Sequence, residues 1–363
     1  MGVSRDLVPP RVEALIPYAP GKPVAELERE LGITGAVKLA SNENPYGAAP
    51  GVKAAMANAL EDLGNYPDGA AFELRKAIAA HHDVPMEQVV TGNGSNELID
   101  LICRAFPAEG DHVVFGEPSF VCYRLGCMAA GVDFTAAPLK DHLAWDVDAL
   151  LEAVRPETKV LFVANPNNPT GAHMGRADLE KLLDALPPRV VVVIDEAYVE
   201  FADAADYISA FALRNSRERL LILRTFSKAY GLAASRVGYA VGPAKLIDYL
   251  QRIRAPFNVN AVGQVGAIAA LQDQAFLQRY VTENIAERAR VATGLRELGL
   301  RVAPSQANFV LVRFDEPGQA VYERLLRKGV IVRPMPAPID RWLRITIGTP
   351  QQNDRLLQTL ADV

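Results

Sequence analysis

The sequence predicts an α/β protein: a mostly parallel sheet sandwiched by helices in a large domain, with a smaller α+β domain beside it. Three observations carry this. KVLFVANP (159–166), RVVVVIDEAY (189–198) and RLLILRTFSK (219–228) are near-continuous apolar runs of strand length, which suits strands buried on both faces of a parallel sheet. From about residue 50, helix-period and strand-period segments alternate, the pattern that right-handed crossovers produce. After about residue 256 the texture changes. A chain of 363 residues also exceeds the size at which one core normally stops growing.

Residues 1–45, with Pro9, Pro10, Pro17, Pro20, Pro23 and a helical patch at Ala25–Leu31, are expected to form an arm and part of the small domain. The large domain is expected over 46–256. Within it GVKAAMANALEDL (51–63) and FELRKAIAAHH (72–82) read as helices, QVVTG (88–92) as a strand and SNELIDLICRAF (95–106) as the next helix. DHVVFGEP (111–118) reads as strand then turn, and the three apolar strands follow. A hinge is placed at Pro256–Asn260, and 257–363 is assigned to the small C-terminal domain. There Leu277, Val281, Ile285, Ala292, Leu295 and Leu298 recur at helical spacing. ANFVLVRF, GVIVRP and WLRITIGT then read as strands.

Composition narrows the functional classes. The formal net charge is -5 with no basic cluster, so no nucleic-acid footprint is expected. No apolar run spans a bilayer, and the first residues lack a signal-peptide core, so no membrane partner and a cytoplasmic location are expected. Cys103, Cys122 and Cys127 have no CxxC spacing and read as reduced, interior thiols. His81–His82 reads as a solvated pair at a helix end rather than a metal site, because no further ligands stand nearby. No metal is expected. Trp145 and Trp342 read as packing residues.

The chemistry collects where the apolar strands end. The first ends in NPNNPTG (165–171), the second in Asp195 with Glu196 and Tyr198 following, the third in TFSKAYGLAASRVG (225–238). Ligands of open α/β sheets bind beyond the carboxyl ends of the strands, so these polar residues should meet in one crevice. Lys228 follows a buried strand, where desolvation lowers an amine's pKa and readies it for a Schiff base with an aldehyde cofactor; most lysines are simply solvated. Asp195 suits either a helix N-cap or a carboxylate facing a pyridinium nitrogen. Tyr198 and Asn168 suit the ring's phenolic oxygen, although Asn-Pro is also ordinary turn chemistry. TGNGSNE (91–97) follows a strand and opens a helix, so amides at Ser95 and Asn96 could face an anion. With Glu97 in place the loop is not GxGxxG, and no GK[ST] makes it a Walker loop. Ser227 and Arg236 could complete such a cradle.

Together SNENP, NYPDG, TGNGSNELI, NPNNPTG, DEAYVEF, TFSKAYGLAASRVGY, VIVRP and LRITIGT resemble the fold-type-I pyridoxal-phosphate transferases, and within them the histidinol-phosphate aminotransferase family. The resemblance runs from about Pro17 to Thr349 with the motifs in order. It implies pyridoxal 5'-phosphate on Lys228, with Asp195 on the pyridine nitrogen and Asn168 and Tyr198 on the phenolic oxygen. Ser95, Asn96, Ser227 and Arg236 would hold the phosphate. It further implies that Phe120 stacks on the ring, where many relatives have Tyr, and that Tyr66 reaches the neighbouring site of a homodimer. Arg344 would bind the substrate's anionic end, with Arg333, Tyr18 and Asn42 in the substrate pocket. The implied reaction moves an amino group from a small-molecule donor, L-histidinol phosphate, to a 2-oxo acid acceptor, 2-oxoglutarate. An aromatic amino acid aminotransferase of the same family remains open, because a carboxylate and a phosphate both suit Arg344. A decarboxylase on the same scaffold is a further alternative. A cofactor-binding regulator without turnover is disfavoured by the joint presence of Lys228, Asp195 and Arg344.

Overall fold

The computed structural model describes residues 7–17 and 21–362. Its strands are β1 Val37–Lys38, β2 Val89–Asn93, β3 His112–Glu117, β4 Asp133–Pro138, β5 Thr158–Ala164, β6 Val191–Asp195, β7 Leu220–Thr225, β8 Val237–Val241, β9 Arg301–Val302, β10 Phe309–Arg313, β11 Val330–Ile331, β12 Arg333–Pro334 and β13 Trp342–Thr346. The three apolar runs become β5, β6 and β7, side by side and parallel. Every residue of β6 is buried, as expected of a strand covered on both faces. Each fully buried Val or Ile there contributes roughly 1.5–3 kcal/mol.

The large sheet has seven strands in the order β2-β8-β7-β6-β5-β3-β4. Only β8 runs against the rest: it is antiparallel to β7 on one side and to β2 on the other. The carboxyl ends of β2, β5, β6 and β7 and the amino end of β8 therefore share one edge. Two strands of this sheet, β4 (DFTAAP) and β8 (VGYAV), lie outside the sequence reading. β4 is an edge strand with little apolar run to announce it, and β8 lies inside a segment whose residues also spell out site chemistry.

A second, antiparallel sheet has the order β12-β13-β10-β9. It packs with the helices Gln274–Glu297, Gly318–Arg327 and Pro350–Ala361 around a core that includes Leu295, Val310, Val321, Leu325, Leu343, Ile345 and Leu356. β1, near the amino terminus, pairs in parallel with β11, so the early chain is tied to the carboxyl-terminal part. The long helix is preceded by a separate one, Ala261–Gln272, whose end and the next start meet at Asp273; that side chain accepts from the Phe276 amide at 3.1 Å.

His82 does not sit in solvent as the sequence suggests. Its ring stacks on Phe211 at 4.1 Å and its Nε2 lies 2.7 Å from the Tyr239 hydroxyl. Burial pushes its pKa down to about 3, with Arg224 adding to the effect. Trp145 and Trp342 are buried packing residues. All three cysteines are free thiols, with Cys103 and Cys127 buried. No helix among the described residues is long and apolar enough to cross a membrane.

Candidate active site

A cavity of about 160 Å³ opens at the edge where the strands end. It is bounded by Ser95, Asn96, Phe120, Asn168, Asp195, Tyr198, Ser227, Lys228, Arg236, Arg344 and Asn42, all singled out from the sequence. Register explains the convergence. Ala164 of β5 stands opposite Asp195 of β6, and Asp195 opposite Leu223 of β7. The residues just past those positions then project over the same lip.

Lys228 lies three residues beyond β7, and its Nζ donates to the Ser41 carbonyl at 3.0 Å. Its pKa is lowered to about 8, first by desolvation and then by the charge of Arg344, with Arg236 and Lys38 adding and Glu43 opposing. Asp195 is 4% exposed. Its Oδ2 accepts from the Tyr123 hydroxyl at 2.9 Å and its Oδ1 from the Ala197 amide at 3.2 Å. Burial pushes its pKa up to about 6 against the opposing pull of those two bonds and of Lys228.

Asn42, at φ 55, joins three parts of the chain. Its Nδ2 donates to the Tyr198 hydroxyl at 2.9 Å, its amide donates to Thr346 Oγ1 at 2.9 Å, and its carbonyl accepts from Asn308 Nδ2 at 3.1 Å. Arg344, on β13, reaches across from the second sheet. One of its terminal nitrogens donates to Asn168 Oδ1 at 2.5 Å and the other to the Ala40 carbonyl at 2.7 Å. Its guanidinium lies 5.5 Å from the Phe309 ring centre.

The anion cradle is built from backbone. Gly94, at φ 78, precedes the helix Ser95–Ala105, whose first amides have no intrahelical partner and favour negative charge. A Cβ on Gly94 would lie 2.7 Å from an Arg236 terminal nitrogen, and one on Gly238 would lie 2.3 Å from the Ser95 amide nitrogen. Arg236 reaches this corner because it immediately precedes β8, the reversed strand. Pyridoxal phosphate fits the donor set. A buried carboxylate whose neighbours only partly offset its desolvation suits a cationic ring nitrogen, a depressed lysine suits an aldehyde, and the glycine-lined helix start with Arg236 suits a phosphate.

Two candidates lie away from the cavity wall. Tyr66 is 82% exposed and stacks on Phe257 at 4.6 Å. Arg333 is half-buried on β12, in register with Arg344 on the neighbouring strand. Tyr18 lies outside the described residues. Sequence reasoning missed Tyr123, the Ser41 carbonyl, Thr225 and the Thr346–Asn308 support of Asn42. Tyr123 had a signal: it stands three residues after Phe120 in EPSFVCY, close enough for the two rings to meet edge-on at 5.8 Å.

This fold and this site define a fold-type-I pyridoxal-phosphate transferase architecture. A histidinol-phosphate aminotransferase from Sinorhizobium meliloti, solved in complex with pyridoxal-5'-phosphate, superposes with a TM-score of 0.90 at 29% identity, covering 98% of this chain and 97% of that one. The chain belongs to the aminotransferase class I and II family, whose model matches residues 34–360. It is 45% identical over 359 residues to a histidinol-phosphate aminotransferase of Anaeromyxobacter sp. (strain Fw109-5), covering 98% of this chain and 99% of the relative. It is also 45% identical to histidinol-phosphate aminotransferase 2 of Pseudomonas aeruginosa, covering 98% and 97%.

Proposed function

We propose that this chain transfers the amino group of L-histidinol phosphate to 2-oxoglutarate, giving imidazole acetol phosphate and L-glutamate, with pyridoxal 5'-phosphate held at Lys228. The observation that carries the reading is the meeting of Lys228, Asp195 and Arg344 in one cavity at the strand ends. The names of the full-length relatives support the donor. When bound, the cofactor supplies an electron sink at the donor's α-carbon. The chain's own residues do the rest. Lys228 Nζ would take the proton from the donor's α-carbon and deliver it to the cofactor's aldehyde carbon rather than back to the α-carbon, since an amine with a pKa of about 8 is both a competent base and a competent acid near neutrality.

Asp195 would hold a proton on the ring nitrogen as a facing carboxylate. Tyr198 and Asn168 would donate to the phenolic oxygen. Ser95, Asn96, Ser227 and Arg236 would hold the phosphate, and Phe120 would pack against the ring. Arg344 binds the donor's phosphate in one half-reaction and the acceptor's carboxylate in the other, because a planar guanidinium pairs with both anions. Its bond to Asn168 places substrate anion and ring oxygen on neighbouring groups. Arg333, Tyr18 and Asn42 complete the substrate side.

Residues 46–256 form the large cofactor-binding unit, 257–363 the small C-terminal unit, and 1–45 an arm and part of the small unit. The protein acts as a homodimer in which Tyr66 reaches the neighbouring site. The exposure of Leu60, Leu63, Tyr66 and Phe257, between 44% and 82%, supports a partner on that face. Three free thiols suit a reducing cytoplasm. The donor assignment is tested by mixing cofactor-loaded protein with histidinol phosphate or with phenylalanine, no acceptor present, and following the cofactor's absorbance. Faster conversion by histidinol phosphate is expected. Faster conversion by phenylalanine would move the protein to aromatic amino acid transamination.

A further inference from the structure

We propose that Tyr123 is a positioning residue: its buried hydroxyl holds Asp195 ionised and aimed at the cofactor's ring nitrogen. The proposal rests on the pyridoxal-phosphate reading of the cavity. Tyr123 is fully buried on the helix Cys122–Ala130. Its ring is fixed on two sides. It stacks on Phe162 of β5, with centroids 4.9 Å apart and planes at 14°, and meets Phe120 edge-on at 5.8 Å and 88°. A phenol so packed has one place for its hydroxyl, and that place is 2.9 Å from Asp195 Oδ2.

The geometry leaves room for the ring. A carboxylate oxygen can accept two hydrogen bonds, so Oδ2 with Tyr123 and Oδ1 with the Ala197 amide each keep a lone pair for a ring N–H. The two protein donors set the plane and aim of the carboxylate. Chemistry makes Tyr123 a dependable donor: desolvation first, then the Asp195 charge and their hydrogen bond, raise the phenol's pKa well above its ordinary value. It therefore does not itself lose the proton near neutrality.

Other groups also bear on Asp195. Glu196, its chain neighbour, raises its pKa, and Lys228 lowers it. Cys122 and Tyr123 face it from their shared helix, and Tyr198 lines the same cavity. Among these, after burial itself, the Tyr123 hydrogen bond is the largest influence on Asp195, and it favours the carboxylate. Losing the hydroxyl while keeping the ring should thus let Asp195 take up a proton at higher pH. A neutral carboxyl cannot pair with a cationic ring nitrogen.

The test is cofactor binding, not turnover. Pyridoxal 5'-phosphate is titrated into the cofactor-stripped full chain between pH 5 and pH 9, for wild type, Tyr123→Phe and Phe162→Leu. Protonation of the cofactor and of Lys228, whose pKa is about 8, is common to all three and drops out of the comparison. Wild type should bind more weakly as the pH falls through the Asp195 transition near pH 6. Tyr123→Phe should move that limb upward by about one pH unit, with binding above pH 8 little changed. Phe162→Leu, which loosens the stack and keeps the hydroxyl, should lower thermal stability and leave the limb in place.

An unmoved limb in Tyr123→Phe overturns the proposal and leaves the residue a packing element. An equal movement in Phe162→Leu also overturns it, because ring packing rather than the hydroxyl would then be responsible. Absence of pyridoxal-phosphate binding by the wild type would instead overturn the cofactor reading, and this inference with it.

Discussion

At the scale of single residues, the fold moves the charges of the site from their ordinary values. With a pKa of about 8, about one Lys228 in ten is neutral at pH 7, against about one in three thousand for an ordinary lysine. The sign is that of a depressed amine: the neutral, nucleophilic form gains as pH rises through about 8. The rate at which pyridoxal phosphate attaches to stripped protein is therefore expected to rise with a midpoint near pH 8; a midpoint near 10 would show an unperturbed lysine. Arg344→Lys keeps a charge and loses the planar fork, so KM for both donor and acceptor is expected to rise at least about tenfold, with a smaller change in kcat. Lys228 and Asp195 were legible because each ends a long apolar run. Tyr123 and the Ser41 carbonyl were not. Tyr123 sits within a motif whose neighbouring Phe120 claimed the function, and a carbonyl acceptor has no residue signature at all.

At the scale of elements, the reversed strand β8 explains why Arg236 belongs to the site. Lying at the amino end of the antiparallel strand, it reaches the edge where β2, β5, β6 and β7 finish. Gly238 lets β8 lie against the helix start at Ser95, where any Cβ meets the amide nitrogen at 2.3 Å. Gly238→Ala is expected to displace the Gly94–Ser95 turn and weaken cofactor retention at least tenfold; dialysis against cofactor-free buffer measures it. A second device clamps the ends of β6 and β7. Glu196, fully buried, accepts from Arg224 Nε at 2.9 Å, from Ser209 Oγ at 3.0 Å and from the Ala210 amide at 2.6 Å. Glu196→Ala removes the nearer partner of buried Arg224 and leaves it the longer pair with Glu200 at 3.7 Å, with an expected loss of about 3 kcal/mol in urea unfolding. The parallel centre of the sheet was readable from apolar runs of strand length. β4, β8 and β1 were not: their pairing depends on distant partners, and a two-residue strand such as β1 carries no period.

At the scale of the whole molecule, the cavity is closed from both sheets. Arg344 comes from the antiparallel sheet, Asp195 and Lys228 from the ends of the parallel strands, and Asn42, held by Thr346, from the early chain that β1 ties to β11. The exposed face around Tyr66 and Phe257 gives the proposed dimer its test: Leu63→Asp with Phe257→Asp should shift wild-type dimer to monomer in sedimentation equilibrium and weaken cofactor retention, whereas a monomeric wild type would contradict it. The central claim is that the strand ends assemble a cofactor site whose covalent anchor is Lys228. Borohydride reduction of the cofactor-loaded protein, followed by peptide mass mapping, tests it most directly. The expected result is a single pyridoxyl-phosphate modification on the peptide containing Lys228, lost in Lys228→Ala. Modification of another lysine instead, or of none, would contradict the account.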